Sequence, residues 1–146
     1  MYLVNEIMDH VAFMRKEWGF GEKVLSGEKI IESRWYKNKY RPWAAISVGD
    51  VIYFKENNIL AAAKVRKVIQ FSDLGPKKIR EILNTYGKDT GIESNEKFFQ
   101  LVKDKKYCIL IFLKNVQKIK PFKINKKGFG NMASWITVKK IKDIRM

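Results

Sequence analysis

The segment from Tyr107 to Leu113 constrains the fold most, because it is apolar at every position. A strand with one face in water alternates apolar and polar residues, whereas an uninterrupted apolar run of this length is typical of a strand covered on both faces. The run is far too short to cross a bilayer, which takes about 20 residues. It therefore predicts a strand buried on both sides of a sheet, and no membrane span.

The remaining pattern indicates strands on either side of a pair of helices. Apolar residues at spacings of three and four predict a first helix over residues 5–18, and a short helical turn is expected over 22–26. The turn residues 56–58 predict a hairpin between two flanking strands. Together these elements predict an α+β domain with a mostly antiparallel, closed sheet. The strands are expected at 29–34, 51–55, 59–70, 107–113, 116–124 and 135–141, and two further helices at 76–86 and after Ser94.

The charge balance favours a polyanionic partner. The 146 residues, enough for one domain, carry a net charge of +15, and residues 103–146 hold 13 basic and two acidic side chains. Such a field attracts nucleic acid. Since most of the basic residues are lysine, a general compositional bias toward lysine is the alternative explanation.

Several kinds of site are disfavoured. The single histidine, His10, and the single cysteine, Cys108, cannot build a structural zinc centre, so no metal is expected. His10 is expected to be a structural residue and Cys108 a core residue. No phosphate-binding or dinucleotide-binding loop is present, so no cofactor is expected. With no possible intramolecular disulfide and no secretory signal, the chain is expected to be cytoplasmic.

The segment from Lys29 to Arg34 is inconsistent with an ordinary strand. Alternation places Glu32 and Arg34 on one face, and three of the six residues are charged. Buried charges seldom contribute stability, and local inconsistencies of this kind tend to mark functional sites. The alternative is an edge strand that carries a solvated ion pair.

Two other regions suggest contacts to a base. Asn131, Ser134 and Trp135 follow a glycine-bracketed loop, and together they offer hydrogen-bonding groups and a stacking face. Trp43 lies in an aromatic cluster that alternates with basic residues, a combination typical of single-strand binding. In each case the alternative is a structural role, as a core residue for Trp135 and as a loop that covers the barrel for Trp43.

The residues Gly27, Lys29, Glu32 and Arg34 match a short signature, and on these positions the chain resembles the ASCH domain family. A helical turn before the signature, the Val48–Val51 turn after it and the final loop into Trp135 also fit. The resemblance covers residues 21–146 and implies a PUA-like β-barrel. Residues 1–20 would then form an N-terminal helical extension.

The resemblance also implies a function. The family is proposed to bind RNA or nucleotides in a cleft lined by the signature residues. By this analogy Lys29 and Arg34 would hold phosphate or base oxygens, Glu32 would orient Arg34 or accept a base amino group, and Trp135 or Trp43 would stack.

Two alternatives remain open at this stage. Some bacterial members hydrolyse an acetylated cytidine with the signature lysine and a threonine three residues later. Lys29 matches the lysine, but Glu32 replaces the threonine, so Lys29 and Glu32 would be catalytic only if the protein is an enzyme. The other alternative is a protein-interaction domain that uses the predicted first helix. The sequence does not determine the oligomeric state.

Overall fold

A computed structural model describes residues 6–130 and 132–146. These residues form six strands, three helices and three short 3₁₀ turns. The strands are β1 (Asp9–Phe13), β2 (Ile31–Tyr36), β3 (Val51–Lys55), β4 (Ile59–Phe71), β5 (Tyr107–Phe122) and β6 (Trp135–Val138); the helices are α1 (Phe20–Ser26), α2 (Pro76–Tyr86) and α3 (Asn95–Val102). No helix in this described part combines the length and the apolar character of a membrane span.

The strands form one curled sheet in the order β2-β5-β4-β3-β1-β6. All neighbouring strands are antiparallel except β1 and β3, which run parallel. The sheet is long enough to curl into a half-barrel, with β2 at one edge and β6 at the other. This arrangement confirms the predicted α+β class and the mostly antiparallel sheet.

Strand β5, the second strand from one edge of the sheet, is covered on both faces along residues 108–113, as its apolar run predicts. Ile109 and Ile111 face the barrel interior, where they join Phe54, Val65 and other buried residues. Their neighbours along the strand, Cys108, Leu110 and Phe112, face the opposite way and pack with α2 and α3. Burial raises the pKa of the Cys108 thiol well above its usual value, which fits the expected core role.

The predicted N-terminal helix is wrong, because residues 9–13 form β1 instead. In this strand His10, Val11 and Ala12 are all buried, since β1 lies inside the sheet between β3 and β6. Pairing with residues far along the chain outweighed the helical spacing, as tertiary contacts often do. The protein-interaction surface expected on this helix is therefore not formed.

Other predicted elements are confirmed with small shifts. The hairpin, α2 and α3 lie where expected, and the Ser94 hydroxyl accepts a hydrogen bond from the Lys97 amide at the start of α3. The two strands predicted at 107–113 and 116–124 are one continuous strand. It continues through a register irregularity beside Asn115, whose φ of 52° is a conformation that asparagine tolerates.

Candidate functional site

A cavity of about 380 Å³ lies along the free edge of β2. Among the strands that the structure describes, β5 is the one partner of β2, so alternate backbone N–H and C=O groups of β2 point away from the sheet. Helix α3 and the segment between β1 and α1 supply the other walls. Aromatic and basic side chains predominate among the lining residues, which are Phe13, Met14, Arg15, Trp18, Phe20, Glu32, Ser33, Arg34, Trp35, Tyr36, Phe98, Leu101, Val102, Lys105 and Ser134.

Arg34 joins the two ends of the curled sheet. From β2, its Nη2 donates to the Phe13 carbonyl oxygen (3.1 Å) at the end of β1, and Nη1 donates to the Ser134 carbonyl oxygen (3.2 Å) just before β6. Its Nε donates to Glu32 Oε1 at 3.1 Å. Each nitrogen of the guanidinium group therefore already has a protein acceptor.

Lys29 is buried behind the cavity wall, with 1% of its surface exposed. Its Nζ donates to the carbonyl oxygens of Ile31 (2.8 Å) and Thr90 (2.7 Å), and it lies 4.6 Å from the centre of the Phe20 ring. Burial lowers the pKa of Lys29, although the nearby Glu32 carboxylate opposes this shift.

The loop that holds Lys29 depends on glycine at position 91. Gly91 has a φ of +85°, and a Cβ atom there would lie 3.1 Å from Lys29 Cβ. Both the backbone conformation and the close approach favour glycine. The carbonyl oxygen of Gly91 accepts a hydrogen bond from Nζ of a second lysine, Lys23, at 2.7 Å.

Glu32 is the group that Lys29 and Arg34 hold in place. Its side chain is 4% exposed, Oε1 accepts the hydrogen bond from Arg34, and Oε2 lies 3.6 Å from Lys29 Nζ. At this distance the two groups form an ion pair, but they are too far apart for a good hydrogen bond. Glu32 Oε2 is therefore buried without a hydrogen-bond partner in the described structure.

Tyr36 carries the second unpartnered group. In residues 6–130 and 132–146, Glu32 Oε2 and Tyr36 Oη are the two buried side-chain nitrogen or oxygen atoms without a hydrogen bond. Both residues line the same cavity. Since most buried polar side-chain atoms in proteins are hydrogen-bonded, two exceptions at one cavity indicate capacity for a ligand.

The structure separates the residues that the sequence singled out. Glu32, Arg34 and Ser134 line the cavity, whereas Lys29 lies behind it. Trp135 is buried, and the Arg34 guanidinium lies 5.2 Å from the centre of its ring. Trp43 is elsewhere, packed on the barrel core with its ring against Tyr107. Asn131 lies outside the described residues.

Trp135 belongs to a second buried polar cluster. Its Nε1–H donates to His10 Nδ1 at 3.0 Å, and Thr137 Oγ1 lies at the same distance from that nitrogen. His10 Nε2 lies 2.8 Å from Asp50 Oδ2. Because an indole N–H can only donate, Nδ1 must accept and the proton of a neutral His10 must be on Nε2. Burial lowers the pKa of His10, which also favours the neutral ring.

Tyr36 belongs to the aromatic cluster around Trp43 but was not among the predicted site residues, and the walls built by Phe13, Trp18 and Phe98 were not predicted either. Tyr36 shares a strand face with Glu32 and Arg34 at spacings of two, and this alternation was the available signal. No local pattern brings the end of β1 and the helix α3 to β2, because both depend on how the sheet curls.

No protein-family model and no curated protein sequence matches the chain. Solved structures do match, and several are of the ASCH protein from Zymomonas mobilis. One has a TM-score of 0.67 at 16% identity and covers 90% of this chain and 88% of that chain. A serine-to-alanine variant of the same protein has a TM-score of 0.70 at 14% identity and covers 96% of this chain and 94% of that one. Together with the curled six-stranded sheet, these matches show that this chain has the α+β fold of the ASCH structures.

Proposed function

We propose that the cavity binds a nucleobase of RNA or of a free nucleotide, with Glu32 accepting a hydrogen bond from an exocyclic amino group. One observation carries the proposal: the two residues that keep a buried oxygen without a hydrogen-bond partner in the described residues, Glu32 (Oε2) and Tyr36 (Oη), both line this cavity. A ligand that supplies their partners would remove the energetic penalty of leaving them unpaired.

The chemistry of the two groups favours a base over a phosphate. A carboxylate can only accept, so the ligand must present an N–H or O–H group to Glu32. A phosphate offers oxygens instead and would meet the carboxylate with like charge. The hydroxyl of Tyr36 donates or accepts, which suits a ring nitrogen or a carbonyl oxygen next to an amino group. The aromatic walls Phe13 and Trp35 suit a flat ring.

This proposal reassigns the roles of two signature residues. Lys29 and Arg34 were expected to hold phosphate or base oxygens, but their donors are directed to carbonyl oxygens of the chain and to Glu32. They act here as positioning residues for the Glu32 carboxylate. Phosphate would then be left to basic side chains at the cavity wall, such as Arg15 and Lys105.

Titration with two nucleotides of nearly the same shape tests the proposal. Cytidine 5′-monophosphate carries an amino group where uridine 5′-monophosphate carries a carbonyl oxygen, and ¹H–¹⁵N NMR measures weak binding of either. We expect the cytidine nucleotide to bind more tightly. Glu32→Gln should weaken its binding by about 10- to 150-fold, the equivalent of ~1.5–3 kcal/mol for a hydrogen bond to a charged group.

The matched control is Glu81→Gln, which changes an exposed carboxylate on α2. This variant should bind like the wild type. The proposal fails if no nucleotide shifts the resonances of the cavity residues, or if folded Glu32→Gln binds as well as Glu81→Gln.

A second candidate is hydrolysis of the amide bond in acetylated cytidine. The observation that favours it is the buried Lys29 ammonium, whose pKa is lowered by burial and which lies 3.6 Å from Glu32 Oε2. Such a pair can exchange a proton during general acid–base catalysis. Incubation with acetylated cytidine followed by chromatography tests it, and unchanged substrate with folded wild-type protein would exclude it.

A further inference from the structure

A second cavity continues from the first. It has a volume of about 290 Å³ and lies between α1 and α3. Four residues, Trp18, Phe20, Phe98 and Leu101, line both cavities, so the two are adjacent parts of one groove. The inner part contains Glu32 and Tyr36, and the outer part opens toward solvent.

The outer part exposes an unusual amount of apolar surface. Trp18 is 41% exposed and Leu101 is 61% exposed, and they lie beside the partly buried rings of Phe20 and Phe98. Large exposed apolar groups that are contiguous and rimmed by polar residues mark binding surfaces. The flat indole of Trp18 is the group best suited to stack on a base.

The groove carries a small excess of positive charge, because its lining holds five basic side chains (Arg15, Lys23, Arg34, Lys97 and Lys105) and three acidic ones (Glu17, Glu32 and Glu93). Arg15, Lys97 and Lys105 lie along its walls, and the Arg15 guanidinium is 5.3 Å from the centre of the Trp18 ring. A third lysine, Lys23, donates a hydrogen bond to the Gly91 carbonyl oxygen, and its Nζ lies 3.5 Å from Glu93 Oε1. On a chain with a net charge of +15, aromatic surface flanked by basic side chains fits single-stranded nucleic acid better than an apolar peptide.

We infer that the outer cavity is a second nucleotide subsite, and that the ligand is a single-stranded RNA whose neighbouring bases occupy the two cavities. This inference rests on the proposed function of the inner cavity. One base meets Glu32 and Tyr36, the next stacks on Trp18, and the linking phosphate lies near Arg15 or Lys97.

The test compares a free nucleotide with an oligonucleotide. The probes are cytidine 5′-monophosphate and a single-stranded RNA of about eight nucleotides, a length within the range of ~4–16 that one single-strand-binding fold covers. Trp18→Ala should weaken binding of the RNA by about 5- to 150-fold, which corresponds to ~1–3 kcal/mol of base stacking. Because Trp18 also lines the inner cavity, the same variant should weaken binding of the mononucleotide, but by a clearly smaller factor than binding of the RNA.

A charge-reversal pair keeps the test valid if Trp18→Ala unfolds the protein. Lys97→Glu and Lys77→Glu both alter an exposed lysine in the first turn of a helix, but only Lys97 lines the groove. For the RNA, Lys97→Glu should reduce the slope of log K against log salt by about one unit more than Lys77→Glu does.

The outcomes separate the two proposals. If neither probe binds, the proposed function itself fails. If the mononucleotide binds through Glu32 but the RNA gains no affinity over it, and folded Trp18→Ala and Lys97→Glu bind RNA like the wild type, the second subsite is excluded and the groove serves another occupant. If Trp18→Ala weakens both probes equally, Trp18 is only a wall of the inner cavity, which also overturns the inference.

Discussion

Two buried polar clusters hold this small domain together, and they differ in one respect. The first joins Lys29, Glu32 and Arg34 at the edge of the sheet. The second joins His10 of β1, Asp50 just before β3 and Trp135 of β6. In the second cluster each ring nitrogen of His10 and each carboxylate oxygen of Asp50 has a hydrogen-bond partner, because Asp50 also accepts from the Met8 and Ser47 amides. In the first cluster, Glu32 Oε2 has no hydrogen-bond partner in the described structure.

We propose that this difference separates a structural network from a binding site. A fully satisfied network fixes the positions of its members and leaves nothing for a ligand. Glu32, in contrast, is held from two sides by cations, lines a cavity and keeps one buried oxygen that accepts no hydrogen bond in the described structure. Burial of charged groups therefore does not by itself identify the site, whereas an unused acceptor beside a cavity does.

The two clusters meet at Arg34, which lies against the ring of Trp135. Trp135 is oriented by His10, and Arg34 in turn orients Glu32. The His10–Asp50–Trp135 cluster thus helps to position the Lys29–Glu32–Arg34 cluster through the contact between Trp135 and Arg34. The following changes test how far their roles can be separated.

Lys29→Met should have the largest effect on stability. It leaves Glu32 without its buried cation partner and the Ile31 and Thr90 carbonyl oxygens without their donor. Removing one partner of a buried ion pair costs ~3–5 kcal/mol. Urea denaturation measures this loss, and Lys97→Met, on the surface of α3, is the control that should change little. A loss below about 1 kcal/mol would show that the pair does not position Glu32.

Acidification should weaken the satisfied cluster through His10. The folded-state pKa of His10 is lowered from its ordinary 6.5, so the unfolded chain binds a proton more readily below that pH. His10 therefore contributes full stability above about pH 6.5 and loses up to ~1.4 kcal/mol per pH unit as the pH falls toward its folded pKa. The unfolding free energy at about pH 7.5 and about pH 5.5 should differ more for the wild type than for His10→Gln. Equal differences would contradict the neutral histidine.

The smallest stability effects should have opposite signs in the two clusters. Tyr36→Phe removes a buried hydroxyl without a partner, so the free energy of unfolding should stay the same or rise by about 1 kcal/mol at most, while nucleotide affinity falls. Thr137→Val removes the hydroxyl that contacts His10 Nδ1 and should lose about 1 kcal/mol. Thermal or urea denaturation measures both. A clear loss of stability for Tyr36→Phe would show that its hydroxyl is structurally paired.

Local sequence patterns predicted correctly those elements whose burial follows from the polarity of neighbouring residues. The apolar run in β5 indicated two covered faces, and the residues around Glu32 looked inconsistent with an ordinary strand because they are in fact a buried charge cluster. The prediction for residues 9–13 was wrong, since His10 and Ala12 are buried by strands from distant parts of the chain.

Sequence spacing singled out the residues of the candidate site but could not predict their contacts. Spacing placed Glu32 and Arg34 on one face. It could not show that the Arg34 guanidinium donates hydrogen bonds to the carbonyl oxygens of Phe13 and Ser134. Those contacts exist only because the sheet curls far enough for the Arg34 side chain to reach from β2 to the end of β1 and the start of β6. For the same reason Tyr36 could not be recognised as a residue with a free buried hydroxyl.

Parallel measurement of stability and affinity for Glu32→Gln and Asp50→Asn tests the central claim most directly. Both variants replace a buried carboxylate by an amide of the same shape, one in each cluster. The account predicts that folded Glu32→Gln loses affinity for cytidine 5′-monophosphate by at least about tenfold, whereas Asp50→Asn loses stability but binds like the wild type while it is folded. Equal loss of affinity in the two variants, or unchanged affinity in Glu32→Gln, would contradict it.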